Sequence, residues 1–149
     1  FPATIFLVPD LIDQRIGDSQ NIVLDMLTWP EIREMHQSGL IDFEPHSLTH
    51  QVLSQINLEQ AEKEIKESKE VIEKRLNKVC YFFAYPRGNF NEKVISVLKR
   101  VGFIAGLTLN NGLVNKNTNL FELPRQSINS ETNMVQFKGK LKFDFKLFK

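Results

Sequence analysis

His46 and His50 stand four residues apart in the stretch Ile41-Asp42-Phe43-Glu44-Pro45-His46-Ser47-Leu48-Thr49-His50, and they are two of only three histidines in 149 residues. Imidazole nitrogen is a good ligand for zinc and other borderline divalent metals. Pro45 argues against a helix running through this spacing, so His46 is expected to end a strand, with the chain turning to bring His50 back to the same ion. The spacing is equally compatible with a helix cap in which Ser47 or Thr49 caps and both histidines face solvent. The two-residue period of a strand puts Asp42, Glu44 and His46 on one face. A covered strand does not carry two carboxylates and a histidine on one face without a purpose or a partner. Asp42 is expected at the exposed beginning of the strand, which leaves Glu44 as a candidate.

Two further stretches could serve the same chemistry. Tyr81-Phe82-Phe83-Ala84-Tyr85-Pro86-Arg87-Gly88 reads as a strand ending in a tight turn. Such a turn can aim a backbone N–H at a ligand, and in isolation it is an ordinary turn. Glu122-Leu123-Pro124-Arg125 places an arginine after a proline in a loop. There it is either a surface charge or a group that holds a carboxylate by a paired contact.

The elements that must position these residues alternate. Ala3 to Val8 is an apolar, β-branched and aromatic run stopped by Pro9, as in a strand covered on both faces. Asp10 to Asp25 is polar and irregular, with helical stretches possible. Thr28-Trp29-Pro30-Glu31 is a helix start, with Thr28 and Glu31 forming a capping box and Pro30 suited to the first turn. Ile32 and Met35 are expected to face inward and Gly39 to end that helix before a strand over Leu40 to Glu44. Asn57 opens a long helix with Leu58, Ala61, Ile65, Ile72 and Leu76 on one stripe, and Glu59/Lys63, Glu62/Lys66 and Glu70/Lys74 as pairs on the wet face. Val79 to Tyr85 is expected as a strand. Asn91 caps a helix through Val94, Ile95, Leu98 and Val101 to Gly102, and Phe103 to Thr108 forms the next strand. The repeat of strand and helix with short connections is the α/β pattern, with parallel strands and outer helices, and its chemistry is expected at the C-terminal ends of the strands.

Composition narrows the class. Nineteen basic residues stand against eighteen acidic ones, for a formal net charge of +1. No global field therefore draws the chain to nucleic acid, and no run is apolar for long enough to span a bilayer. Cys80, the sole cysteine, cannot form an internal disulfide and reads as a buried structural thiol. Over about residues 129–149 the pattern fits either a strand (Val135, Phe137, Leu141, Phe143, Phe145, Leu147) or one helix face (Met134, Phe137, Leu141, Phe145, Phe148). Lysines on the other face of such a helix would suit a membrane surface, and a terminal amphipathic element packed on the domain is the expected reading. Phe1 opens directly on a buried strand without a charged leader, so the chain is expected to be one partial domain of a longer protein, with any targeting signal in the missing part.

Taken together, the motifs resemble the polysaccharide deacetylase family, the NodB-homology domain of carbohydrate esterase family four. Its H-[ST]-x-x-H motif is matched by His46 to His50, and the F-A-Y-P-Y-G motif of one branch by Phe83-Ala84-Tyr85-Pro86-Arg87-Gly88. The branch's Leu-Pro-Arg is matched by Leu123-Pro124-Arg125. Phe1 to Leu7, Leu27-Thr28-Trp29 and Gly39-Leu40 are similar to further family segments, in the same order, as far as about Ile128. The resemblance implies an incomplete distorted (β/α) barrel and a metal-dependent N-deacetylase that releases acetate from an N-acetylglucosamine polymer, at the cell surface or outside the cell. His46 and His50 would be ligands of a divalent metal, zinc by expectation, with cobalt or nickel as alternatives. Ser47 and Thr49 would support the loop. The Arg87 backbone N–H would bind the oxyanion, Arg125 would orient the catalytic aspartate, and Tyr85 and Pro86 would touch substrate.

This chain departs from the family pattern in four ways. The T-F-D-D motif, which supplies the base and a metal ligand, has no counterpart here. The late L-x-H motif of the acid is also missing. Arg87 replaces the family's tyrosine. Glu44-Pro45 replaces small residues, so Glu44 would either add a carboxylate near the metal or cap a neighbouring loop. The alternatives are a catalytically silent, glycan-binding member of the same fold and, on the histidines alone, a metal hydrolase acting on another amide.

Overall fold

The structure is a computed structural model that describes residues 2–17 and 23–145. Strand β1 (Ala3–Leu7) pairs in parallel with β4 (Ile41–Pro45), in the register Ile5 to Phe43 and Leu7 to Pro45. Strands β5 (Phe82–Ala84), β6 (Ala105–Asn111) and β7 (Leu123–Arg125) form a second parallel sheet in the order β5-β6-β7. Helices α1 (Trp29–Gln37), α2 (Leu58–Leu76) and α3 (Glu92–Val101) connect them. This is a mixed α/β fold with parallel strands, as the alternating sequence pattern implies.

Local chemistry sets the helix ends. Thr28 accepts the Glu31 N–H, and the Glu31 carboxylate takes the Thr28 N–H at 2.8 Å, completing the capping box. Asn57 and Asn91 cap α2 and α3 through the N–H groups of Gln60 and Val94. Ile32, Phe43, Ile65, Ile72, Phe83, Val97 and Leu98 are fully buried and form the centre of the core between sheets and helices. Cys80 is buried there too, and burial pushes its thiol pKa up to about 12, so it is a packing residue and no nucleophile.

Several segments differ from the sequence expectation. The polar stretch after Pro9 holds a short 3-10 turn, Pro9–Leu11, and an antiparallel strand pair, β2 (Arg15–Gly17) with β3 (Val23–Asp25). Residues 18–22 lie outside the described residues. The strand expected over Val79 to Tyr85 is reduced to β5, and Val79 and Tyr81 are exposed, because the backbone N–H groups of Cys80, Tyr81 and Phe82 turn to carboxylates rather than to a neighbouring strand. On α2 the ion pairs run from lysine to glutamate, Lys63–Glu67, Lys66–Glu70 and Lys69–Glu73, and Glu62 reaches Arg100 on α3 instead of Lys66. The C-terminal segment forms helix α4 (Met134–Phe145), which settles its strand-or-helix ambiguity. Met134 and Val135 are exposed on it, so this turn is not packed on the domain as expected. Leu147 and Phe148 lie outside the described residues.

Candidate active site

The histidine loop begins where β4 ends. The His46 N–H donates to the Leu7 carbonyl at 2.8 Å, which extends the β1–β4 ladder by one step. Its ring Nδ1 lies 2.6 Å from the Ala84 carbonyl oxygen at the end of β5. A carbonyl only accepts, so Nδ1 carries the proton and Nε2 keeps its lone pair for a ligand. Burial lowers the His46 pKa, the Ala84 contact opposes this, and the charges of His50 and Arg125 lower it further. The imidazole is thus neutral at pH 7, the form that binds metals. The His50 ring lies edge-on to it, with centroids 5.0 Å apart. The third histidine, His36, packs against Phe43.

The turn joining the two histidines is strained and braced. Ser47 and His50 both have positive φ, 64° and 67°. Non-glycine residues held in this region cost about 1–3 kcal/mol each and persist only where surrounding contacts impose them. Those contacts are present. Buried Ser47 accepts the His50 N–H through Oγ at 3.0 Å. The Glu64 carboxylate, projecting from α2, takes the N–H groups of Leu48 (3.0 Å) and Thr49 (2.9 Å) and the Thr49 hydroxyl (2.7 Å).

The rest of the rim comes from the second sheet. After β5 the chain turns through Pro86–Gly88, with Arg87 at φ 55° and its side chain exposed. A Cβ on Gly88 would lie 2.9 Å from the Leu109 backbone nitrogen, so only glycine fits this turn against β6. Among the described residues no group accepts the Arg87 N–H. Arg125, at the end of β7, donates through Nε to the Thr108 carbonyl at 2.7 Å. Partial burial lowers its pKa, and among the described residues it forms no ion pair. The two imidazoles thus follow β4, the Arg87 turn follows β5 and the half-buried Arg125 ends β7, with the Arg125 charge felt at His46. No three His, Cys, Asp or Glu side chains cluster to hold an ion among the described residues.

A sequence model of the family described as polysaccharide deacetylase matches residues 1–106. The chain belongs to this family. Poly-β-1,6-N-acetyl-D-glucosamine N-deacetylase from Staphylococcus aureus strain MRSA252 is 29% identical over 138 residues, covering 87% of this chain and 46% of its own length. The Staphylococcus epidermidis enzyme of the same name is also 29% identical over 138 residues. This chain thus spans about half the length of the curated relatives it matches. The deacetylase PplD of Streptococcus pyogenes, solved with acetate, superposes over 93% of this chain and 57% of its own, with a TM-score of 0.81 and 26% identity. A polysaccharide deacetylase from Bacillus cereus does so over 95% and 42%, with a TM-score of 0.81 and 29% identity.

Three of the expected site residues, Glu44, Tyr85 and Pro86, are buried. The Glu44 carboxylate is buried, and both of its oxygens are engaged. One takes Lys78 at 3.0 Å; the other takes the N–H groups of Tyr81 and Phe82 at 3.0 and 2.9 Å. Of the two readings for Glu44, the neighbouring-segment cap is the one its contacts match. Tyr85 is fully buried, donates its hydroxyl to the Phe121 carbonyl at 2.8 Å and stacks on Phe90, so its side chain packs in the core. A Cβ on Gly106 would meet its hydroxyl at 2.5 Å, which shows how closely β6 passes it. Pro86 is buried beside it. These two residues shape the turn that carries Arg87. Sequence reasoning missed Glu64, in a charge run read as a solvated helix face, and Lys78, between that helix and the next strand. Glu64 lies three residues from Ala61 and one from Ile65 on the buried stripe, the one signal that could have flagged it.

Proposed function

We propose that this chain forms the metal-binding part of a metal-dependent N-deacetylase that removes acetyl groups from an N-acetylglucosamine polymer, built on a distorted (β/α) barrel. The observation that carries this reading is the His46–His50 pair at the end of β4, with His46 Nδ1 fixed on Ala84 and Nε2 left for a ligand. A neutral imidazole anchored through its other ring nitrogen, as that of His46 is, fits a borderline divalent cation, zinc first, with cobalt or nickel as alternatives. His46 and His50 would hold it, and such an ion supplies Lewis acidity toward a carbonyl oxygen.

The residues of the chain do the rest. Arg125, whose guanidinium has no acidic partner among the described residues, would orient the carboxylate that acts as base, itself contributed from outside them. The Arg87 N–H would donate to the oxyanion that develops at the acetamide carbon. Its left-handed turn holds that donor without reorganisation. Acetate and a free amine on the glycan are the products. The relatives named above support the polymer as substrate and, with it, an extracellular or cell-surface setting. No described helix is long and apolar enough to cross a membrane.

A second reading, a catalytically silent glycan-binding member of the fold, is favoured by the lack of a third acidic or imidazole ligand among the described residues. Zinc titration into the wild type and the His46→Ala/His50→Ala double variant tests the site. Weak but measurable binding is expected in the wild type only, and equal affinity in both would remove the assignment.

A further inference from the structure

We infer that Glu64 is a positioning residue for the metal-binding pair, fixing the His46–His50 loop from helix α2; this rests on the metal-site reading above. The Leu48 carbonyl takes the Asp10 N–H at 3.1 Å, but the N–H groups of Leu48 and Thr49 have no acceptor besides Glu64 among the described residues. His46 is tied to β1 and to Ala84, and His50 to Ser47. Glu64 holds both residues at once, one carboxylate oxygen taking the two N–H groups at 3.0 and 2.9 Å and the other the Thr49 hydroxyl at 2.7 Å. The carboxylate is buried and has no basic partner among the described residues, since Lys63 pairs with Glu67 and Lys66 with Glu70. Burying a carboxylate that only the loop satisfies is costly unless the loop keeps one conformation. Conversely, the loop holds two residues at positive φ, a geometry that relaxes when its restraints are removed. The two demands are met together, and the geometry they select brings the His50 ring to 5.0 Å from that of His46.

Outer-sphere partners of this kind typically change metal affinity by about 10- to 100-fold when removed. Glu64→Leu keeps volume and removes all three acceptor contacts. Glu64→Gln keeps the pattern, because its carbonyl can take both N–H groups and its amide can face the hydroxyl. Ile72→Ala, a core truncation two turns further along α2, serves as the stability control. Zinc affinity is measured by calorimetry on the 149-residue chain, with amide exchange at Leu48 and Thr49 alongside. The expected result for Glu64→Leu is a loss of about 10- to 100-fold in affinity, together with loss of protection at these two amides. Glu64→Gln and Ile72→Ala should bind near the wild-type level. Should Glu64→Leu not fold, Thr49→Val removes one of the three contacts and should show a smaller loss in the same direction. Wild-type affinity in Glu64→Leu or in a folded Thr49→Val, or an equal loss in Ile72→Ala, overturns the inference. If the wild type binds no better than the His46→Ala/His50→Ala variant, the metal-site reading fails and the inference falls with it.

Discussion

Arg87 separates what a side chain contributes from what its backbone contributes. Its guanidinium is exposed, while its N–H sits in a left-handed turn braced by buried Pro86 and by a glycine that only glycine can replace. If the N–H is the working group, the identity of the side chain is nearly free. Arg87→Tyr, made in this chain joined to the family's aspartate-bearing segment, should then keep acetate release within about tenfold of the parent, because losing an oxyanion donor outright costs about a hundredfold or more. A larger fall in kcat would assign the guanidinium a direct contact with substrate or with a carboxylate. Tyr85, one residue before the turn, teaches the opposite lesson. The same motif that suggested a substrate contact gives a buried hydroxyl committed to Phe121.

At the level of elements, the least expected feature is the join between β4 and β5. These strands are not paired by a backbone ladder. Side chains bridge them instead: Glu44 accepts from Tyr81 and Phe82, His46 donates to Ala84, and Lys78 reaches Asp42, the Phe43 carbonyl and Glu44. Burial works against the Lys78 charge, but its bonds to Asp42 and Glu44 outweigh it and hold its pKa above the ordinary value. Removing one partner of such a buried pair typically costs about 3–5 kcal/mol. Glu44→Ala should fall near about 3 kcal/mol, since Lys78 keeps two acceptors while two N–H groups lose theirs. Urea denaturation measures this, and a midpoint equal to the wild type would show that the bridge carries no stability. The alternation of strand and helix from α1 to β6, the capping box at Thr28, the caps at Asn57 and Asn91 and the stop at Gly102 were legible in the sequence, because each is set by local residues, whereas the short strands β2, β3 and β7, in stretches read as irregular or as a loop, were not. The β4–β5 bridge was not, because it depends on residues more than thirty positions apart whose charges also suit a wet surface. The histidine pair was legible for the same local reason as the caps, whereas Glu64, which braces it, comes from the next helix.

For the molecule as a whole, the question is whether these parts suffice for turnover. The groups proposed for the site are two imidazoles, one guanidinium and one backbone N–H. Asp42, at the start of β4, pairs with Lys78, and the two carboxylates nearer the histidines are both committed, Glu64 to the loop and Glu44 to Lys78 and β5. Neither retains a free oxygen to accept a proton from water without breaking a buried contact. A positioned base contributes about a hundred- to ten-thousandfold to such a reaction. The 149-residue chain alone should therefore release no measurable acetate from N-acetylglucosamine oligomers with added zinc or cobalt, while the aspartate-bearing form should. Zinc binding by the short chain, lost in the histidine double variant, would show that its inactivity reflects the absent base rather than an unfolded site. Clear turnover by the short chain, abolished by Glu44→Gln, would mean that Glu44 leaves its bridge to act as the base. In that case the strut between β4 and β5 would be part of the catalytic machinery, and its loosening a step in the reaction.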